Sequence, residues 1–116
     1  MNEVTIWHNP RCSKSRNAVA LLEEHGVEAA VVKYLETPPS KEEIVKVLKM
    51  LGISARELMR TKESIYKELG LKDVDDEEKL IDAMVAHPKL IERPVVIKDG
   101  KAAIGRPIEN IIALIQ

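Results

Sequence analysis

The stretch Val4-Thr5-Ile6-Trp7-His8-Asn9-Pro10-Arg11-Cys12-Ser13-Lys14-Ser15-Arg16 carries the reading of this chain. Val4-Thr5-Ile6-Trp7 alternates and is rich in β-formers, so it predicts a first strand. Beyond Cys12, the apolar residues Ala18, Val19, Leu21 and Leu22 recur at helical spacing over 14–25, and Gly26 follows as a stop. Cys12 therefore stands between a strand end and a helix start. It is the single cysteine of the chain, so it can form neither an internal disulfide nor a cysteine cluster on a metal. It is either an inert small apolar residue or a reactive thiol whose second sulfur comes from another molecule. The placement favours the reactive thiol. A sulfur at a helix N-terminus meets backbone N–H groups that lack helical partners and the positive end of the dipole, and both stabilise its anion. A free thiol, with a pKa of roughly 8.5, is only a few per cent ionised at pH 7.

Working outward, Val31-Val32 marks a second strand over 29–34, and Thr37-Pro38-Pro39 breaks the chain. Ser40 and Glu43 form a capping-box pattern that opens a helix ending at Gly52. The same pattern recurs at Ser54 and Glu57, opening a short helix to about Arg60. Further helices are predicted over 62–69, stopped by Gly70, and over 77–86, before Pro88. Val95-Val96-Ile97-Lys98 then reads as a strand, and Asp99-Gly100 is a two-residue hairpin turn into a strand over 101–104. Pro107 suits the first position of a final helix. The first two strands, joined by a crossover helix, are expected parallel, and the last two antiparallel. A small mixed α/β sheet with flanking helices results. It resembles the thioredoxin-like plan, with an all-helical insertion over about 40–87 in a single domain spanning 1–116.

The composition narrows the function. Hydrophobic residues make up 45% of the 116, enough for one core, while charged residues make up 32% with both signs interspersed. The net charge of -1 does not point to nucleic acid or an acidic membrane surface. No apolar run approaches the roughly 18 residues that suggest a transmembrane helix. Met1-Asn2-Glu3 leads straight into a strand pattern without a signal-like h-region, so the expectation is a cytoplasmic protein in a reducing compartment. Three scattered histidines and one cysteine offer no metal-ligand spacing, and no Gly-rich phosphate loop is present.

Cations gather near the thiol in sequence. Arg11, Lys14 and Arg16 flank it, opposing the dipole unless an oxyanion binds there and reverses the sign. Arg93 and Arg106 each precede a proline at a predicted element boundary, and in this topology the loop before the third strand approaches the cysteine loop. Arg93-Pro94 leaves either peptide isomer open. Arg60, at a helix end, also suits the dipole there. His8 can stabilise the thiolate by a hydrogen bond or as imidazolium, or serve as a solvated loop histidine. Ser13 and Ser15 read as first-turn hydrogen-bonding groups.

Five segments taken together resemble the glutaredoxin-coupled arsenate reductases of the ArsC type. They are His8-Asn9-Pro10-Arg11-Cys12-Ser13-Lys14-Ser15-Arg16, Tyr34-Leu35-Glu36-Thr37-Pro38-Pro39, Leu58-Met59-Arg60, Ile91-Glu92-Arg93-Pro94 and Ile104-Gly105-Arg106-Pro107. The resemblance implies a thioredoxin-like fold and reduction of arsenate to arsenite, with glutathione as co-substrate, glutaredoxin as partner and no bound cofactor. It makes Cys12 the nucleophile, gives His8 a part in its ionisation, and assigns the oxyanion to Arg60, Arg93 and Arg106. Ser15 and Arg16 would support the anion or the thiolate. A glutathione-linked thiol oxidoreductase without arsenate activity would use the same thiol. The Spx-type transcriptional regulators, which commonly carry a Cys-x-x-Cys switch, fit less well, because Cys12-Ser13-Lys14-Ser15 has serine at the second position. Whatever the substrate, an oxidised Cys12 needs an external thiol to resolve it.

Overall fold

The structure, a computed structural model, describes residues 4–105 and 108–115. Contacts divide the chain into two compact units, Met1–Thr37 with Arg93–Gln116, and Pro38–Glu92.

The first unit holds a four-stranded sheet. Its strands are β1 (Val4–Trp7), β2 (Ala29–Val32), β3 (Val95–Lys98) and β4 (Lys101–Ile104), in the order β2-β1-β3-β4. β1 and β2 pair in parallel, Ile6 opposite Val31. β1 and β3 pair antiparallel, with Ile6 opposite Val96 and Trp7 opposite Val95. β3 and β4 form the expected hairpin, whose turn places Asp99 at φ 50° and Gly100 at φ 77°. Positive φ at both central residues is what a type I′ turn demands, and Asp-Gly tolerates it. Helix α1 (Ser13–Glu24) ends on Gly26 at φ 70°, and helix α6 covers Glu109–Ile115. Pleating sends Val4, Ile6 and Val96 to one face, where they form a core with Ala18 and Leu22 of α1 and Ile111 of α6. The second strand stops at Val32, short of the expected Tyr34.

The second unit is helical: α2 (Lys41–Leu51), α3 (Ala55–Leu58), α4 (Ser64–Glu68) and α5 (Glu77–Ala86), with 3-10 turns at Leu71–Asp73 and Pro88–Leu90. α2 and α3 both pack on α5, burying Ile44, Val47, Leu58, Ile81 and Met84. The Ser40 capping box forms in full: Ser40 Oγ accepts from Glu43 N–H at 3.1 Å, and Glu43 Oε1 accepts from Ser40 N–H at 3.2 Å. The expected second box does not form. Ser54 Oγ donates to Glu57 Oε1 at 3.3 Å, and the open N–H of Ala55 donates to Glu77 Oε2, 2.9 Å away at the start of α5. A carboxylate from another helix thus serves the first-turn donor, while the Glu57 N–H goes to the Ser54 carbonyl at 3.2 Å. α3 also ends at Leu58 rather than near Arg60. Met59 bridges Ile91, and Arg60 N–H donates to Leu90 O at 2.7 Å, so inter-segment bonding draws the chain out of the helix.

Among the described residues, no helix is long and apolar enough to cross a membrane. No group of three or more His, Cys, Asp or Glu residues is placed to hold a metal ion, also among the described residues.

Candidate active site

The loop between β1 and α1 is organised by Asn9. Asn9 O accepts from Cys12 N–H at 3.0 Å, its Oδ1 accepts from Arg11 N–H at 3.0 Å, and its own N–H donates to Ser15 Oγ at 3.0 Å. Three bonds from one residue bend the chain so that Cys12 becomes the N-cap of α1. There it takes an extended backbone, φ -96° and ψ 122°. The sulfur therefore sits at the helix entrance, facing the first-turn N–H groups of Lys14 and Ser15. The thiol is partly exposed.

The electrostatics favour its anion. Partial burial alone would push the Cys12 thiol up. The Ser15 N–H, the charge of Arg93, the Lys14 N–H and a hydrogen bond from the Arg93 guanidinium together outweigh burial and bring it below the ordinary thiol value. Arg93 is 9% exposed, so its charge acts through little intervening water. Sheet pairing explains how it arrives. Val95 lies opposite Trp7, so the segment entering β3 runs beside the segment leaving β1. The Arg93–Pro94 peptide bond in that segment is cis.

His8 is also 9% exposed. Its Nδ1 lies 2.7 Å from Ser15 Oγ. Burial, then the nearby charges of Lys33 and Arg16, hold it below the usual histidine range, with a hydrogen bond at Ser15 opposing them. Both burial and the two cations disfavour the imidazolium form. Its link to the thiol runs through Ser15, fully buried, whose backbone N–H faces the sulfur and whose hydroxyl meets the histidine. Arg16 turns back on the loop, Nη1 donating to Pro10 O at 2.9 Å. This cation braces the segment that presents Cys12.

The structure thus groups Cys12, Ser15 and Arg93 directly, joins His8 to them through Ser15, and uses Arg16 as a brace. Arg60 belongs to the helical unit, where its Nη1 pairs with Glu63 Oε1. Arg106 lies outside the described residues, as does Pro107. The sequence reading missed Asn9, Lys33 and Glu63. Asn9 was open to recognition, since Asn-Pro favours turns in which the Asn side chain bonds nearby backbone N–H groups. Glu63 was also open to recognition, since it stands three residues after Arg60 at ion-pair spacing; Lys33 acts on His8 through space, and no local pattern flags it.

A family model described as the ArsC family matches residues 7–114. The chain is 54% identical over 117 residues to the arsenate reductase of Neisseria meningitidis, covering 99% of this chain and 100% of that one. It is 56% identical over 115 residues to the uncharacterized protein YfgD of Escherichia coli, covering 97% of each. Among solved structures, the arsenate reductase from Vibrio cholerae superposes with a TM-score of 0.93 at 50% identity, covering 96% of both chains.

Proposed function

The chain belongs to the ArsC family, and on that footing we propose that it reduces arsenate to arsenite, with Cys12 as nucleophile and glutathione and glutaredoxin supplying the electrons. The carrying observation is the Cys12 sulfur at the N-terminus of α1, its thiol lowered by two backbone N–H groups and the Arg93 guanidinium.

Arg93, with Arg60 and Arg106, holds the tetrahedral oxyanion; guanidinium forks match its oxygens in pairs, as a point-charge lysine does not. The Cys12 thiolate forms a bond to arsenic, and one arsenate oxygen leaves as water or hydroxide. The glutathione thiol then attacks. Two electrons pass from the two sulfurs to arsenic, As(V) becomes As(III), arsenite leaves, and Cys12 and glutathione remain joined as a mixed disulfide. The sum balances: Cys12 thiol, glutathione and arsenic acid give the mixed disulfide, arsenous acid and water. Glutaredoxin attacks the glutathione sulfur and releases the Cys12 thiol. The chain cannot perform that step itself, having one cysteine. No bound cofactor takes part. Ser15 orients the thiolate, and His8 acts through Ser15 as a positioning residue. A reaction fed by free thiols belongs in a reducing compartment, so we assign it to the cytoplasm.

A glutathione-linked oxidoreductase that ignores arsenate is the second reading. The Arg60–Glu63 pair favours it, because that pair leaves less cationic charge for an oxyanion. One assay separates the two: incubate the protein with arsenate, glutathione and glutaredoxin and measure arsenite. Arsenite should form, should vanish in Cys12→Ser, and should slow when thioredoxin replaces glutaredoxin. Absence of arsenite together with turnover of a glutathionylated peptide overturns the first reading in favour of the second.

A further inference from the structure

Glu63 stands at the N-cap of α4, with φ -67° and ψ 143°. A carboxylate there would ordinarily turn into its own helix and accept from first-turn N–H groups. Glu63 makes no such bond. Its Oε1 meets Arg60 Nη1 instead, while its backbone N–H donates to Arg60 O at 3.1 Å. The two residues close a tight turn in which the acid is held against the base by main chain as well as side chain. The side chains are 27% and 24% exposed, so the pair is mostly sheltered from solvent.

This matters because Arg60 is one of the three oxyanion-binding arginines in the function proposed above, and the inference rests on that reading. A guanidinium recognises a tetrahedral oxyanion with a two-pronged fork and a full positive charge. Glu63 occupies one prong and offsets part of the charge. An incoming anion must displace the carboxylate or bind an arginine with its field reduced.

We propose that Glu63 is an internal competitor for Arg60 that weakens oxyanion binding and sets the substrate concentration at which the site fills. The carboxylate acts on affinity. It touches none of the reacting atoms, so the rate of the chemical step at saturation is left alone.

The test compares wild type, Glu63→Gln, Arg60→Ala and the double variant. The first readout is the arsenate concentration that half-protects Cys12 from iodoacetamide, and the second is the steady-state KM and kcat for arsenate with glutathione and glutaredoxin. Gln keeps the shape of Glu and removes its charge. Glu63→Gln should lower both the half-protecting concentration and KM by about two- to five-fold, the range of a partly exposed ion pair, with kcat unchanged. In the Arg60→Ala background the same substitution should change neither. A Glu63→Gln protein with unaltered protection and KM overturns the proposal, and so does an equal effect with Arg60 absent. Failure of arsenate to protect wild-type Cys12 at any concentration overturns the anion-site reading itself and this inference with it, which keeps the two failures distinct.

Discussion

Gly105→Ala tests how the sheet holds the thiol site. Gly105 follows β4 and donates its N–H to Pro94 O at 2.8 Å. A Cβ on Gly105 would stand 2.7 Å from Ile111 Cδ1, 2.7 Å from Pro94 Cγ and 3.3 Å from Pro94 Cδ. Carbon atoms rest about 3.5–4.0 Å apart, so both neighbours must retreat by about 1 Å. Ile111 is fully buried, and pushing its δ-methyl off its rotamer costs about 0.5–1.5 kcal/mol. The Pro94 ring has no rotamer to use and moves only with its backbone. Overpacking of this kind costs about 1–3 kcal/mol. Reduced freedom of the unfolded chain returns about 0.4–1 kcal/mol. The net loss is about 1–2 kcal/mol, which for a chain of this length lowers Tm by about 4–8 °C. Because Pro94 follows Arg93, the displaced ring also shifts the guanidinium away from the Cys12 sulfur. The assay pairs thermal melts with the pH profile of Cys12 alkylation by iodoacetamide. Gly26→Ala is the control: Gly26 has φ 70° with open space around its Cβ position, so alanine there costs about 1–2 kcal/mol of backbone strain and touches nothing near Pro94. Both variants should melt early, and only Gly105→Ala should move the alkylation midpoint upward. A Gly105→Ala protein that melts like wild type refutes the packing argument. One that melts early yet alkylates like Gly26→Ala refutes the link from Pro94 to Arg93.

The other expectations are simpler. Arg93→Ala removes a charge and a hydrogen bond from the thiolate, so the alkylation midpoint should rise and labelling at neutral pH should slow; an unmoved midpoint would contradict the electrostatic account. Since folding lowers the Cys12 thiol, the native state holds the anion better than the unfolded chain. That contribution to stability is complete above the ordinary thiol value, about 8.5, and is lost as pH falls through the lowered native value. The unfolding free energy of wild type relative to Cys12→Ser should therefore be larger near about pH 9 than in acid, measured by urea denaturation. Ser15→Ala deprives the His8 ring and the Asn9 N–H of a buried partner and should cost about 1–3 kcal/mol, read from the same denaturation curves. Glu77→Ala leaves the Ala55 N–H without its cap and should cost about 1 kcal/mol with Cys12 alkylation unchanged.

Much of the fold is legible along the chain. The Ser40 capping box, the Asp99-Gly100 turn and the glycine after α1 are all local devices, each satisfying backbone groups within a few residues, and each forms as expected. Ser54 shows the limit of such reading. Its pattern matches that of Ser40, yet the Glu57 N–H donates to the Ser54 backbone carbonyl rather than to the hydroxyl, and Glu77 reaches from α5 to the neighbouring Ala55 N–H. The first turn of a helix has several open donors, and packing decides which acceptor reaches which. The end of α3 follows the same logic, since the competing bond from Arg60 N–H to Leu90 O lies thirty positions along the chain.

The site divides in the same way. A single cysteine between a β-rich alternation and a helical apolar pattern suffices to place a thiol at a helix entrance and to require an external thiol for its resolution, because both follow from residue order and count. Sequence alone could name Arg93, Arg60 and His8 as candidates but could not say what each would touch. β3 pairs antiparallel with β1, and that register carries Arg93 to the sulfur. Burial and two neighbouring cations disfavour the His8 imidazolium. Local periodicity reports which face of an element is apolar; partners distant in sequence are selected only when those faces are buried together, and that selection is made by the folded chain.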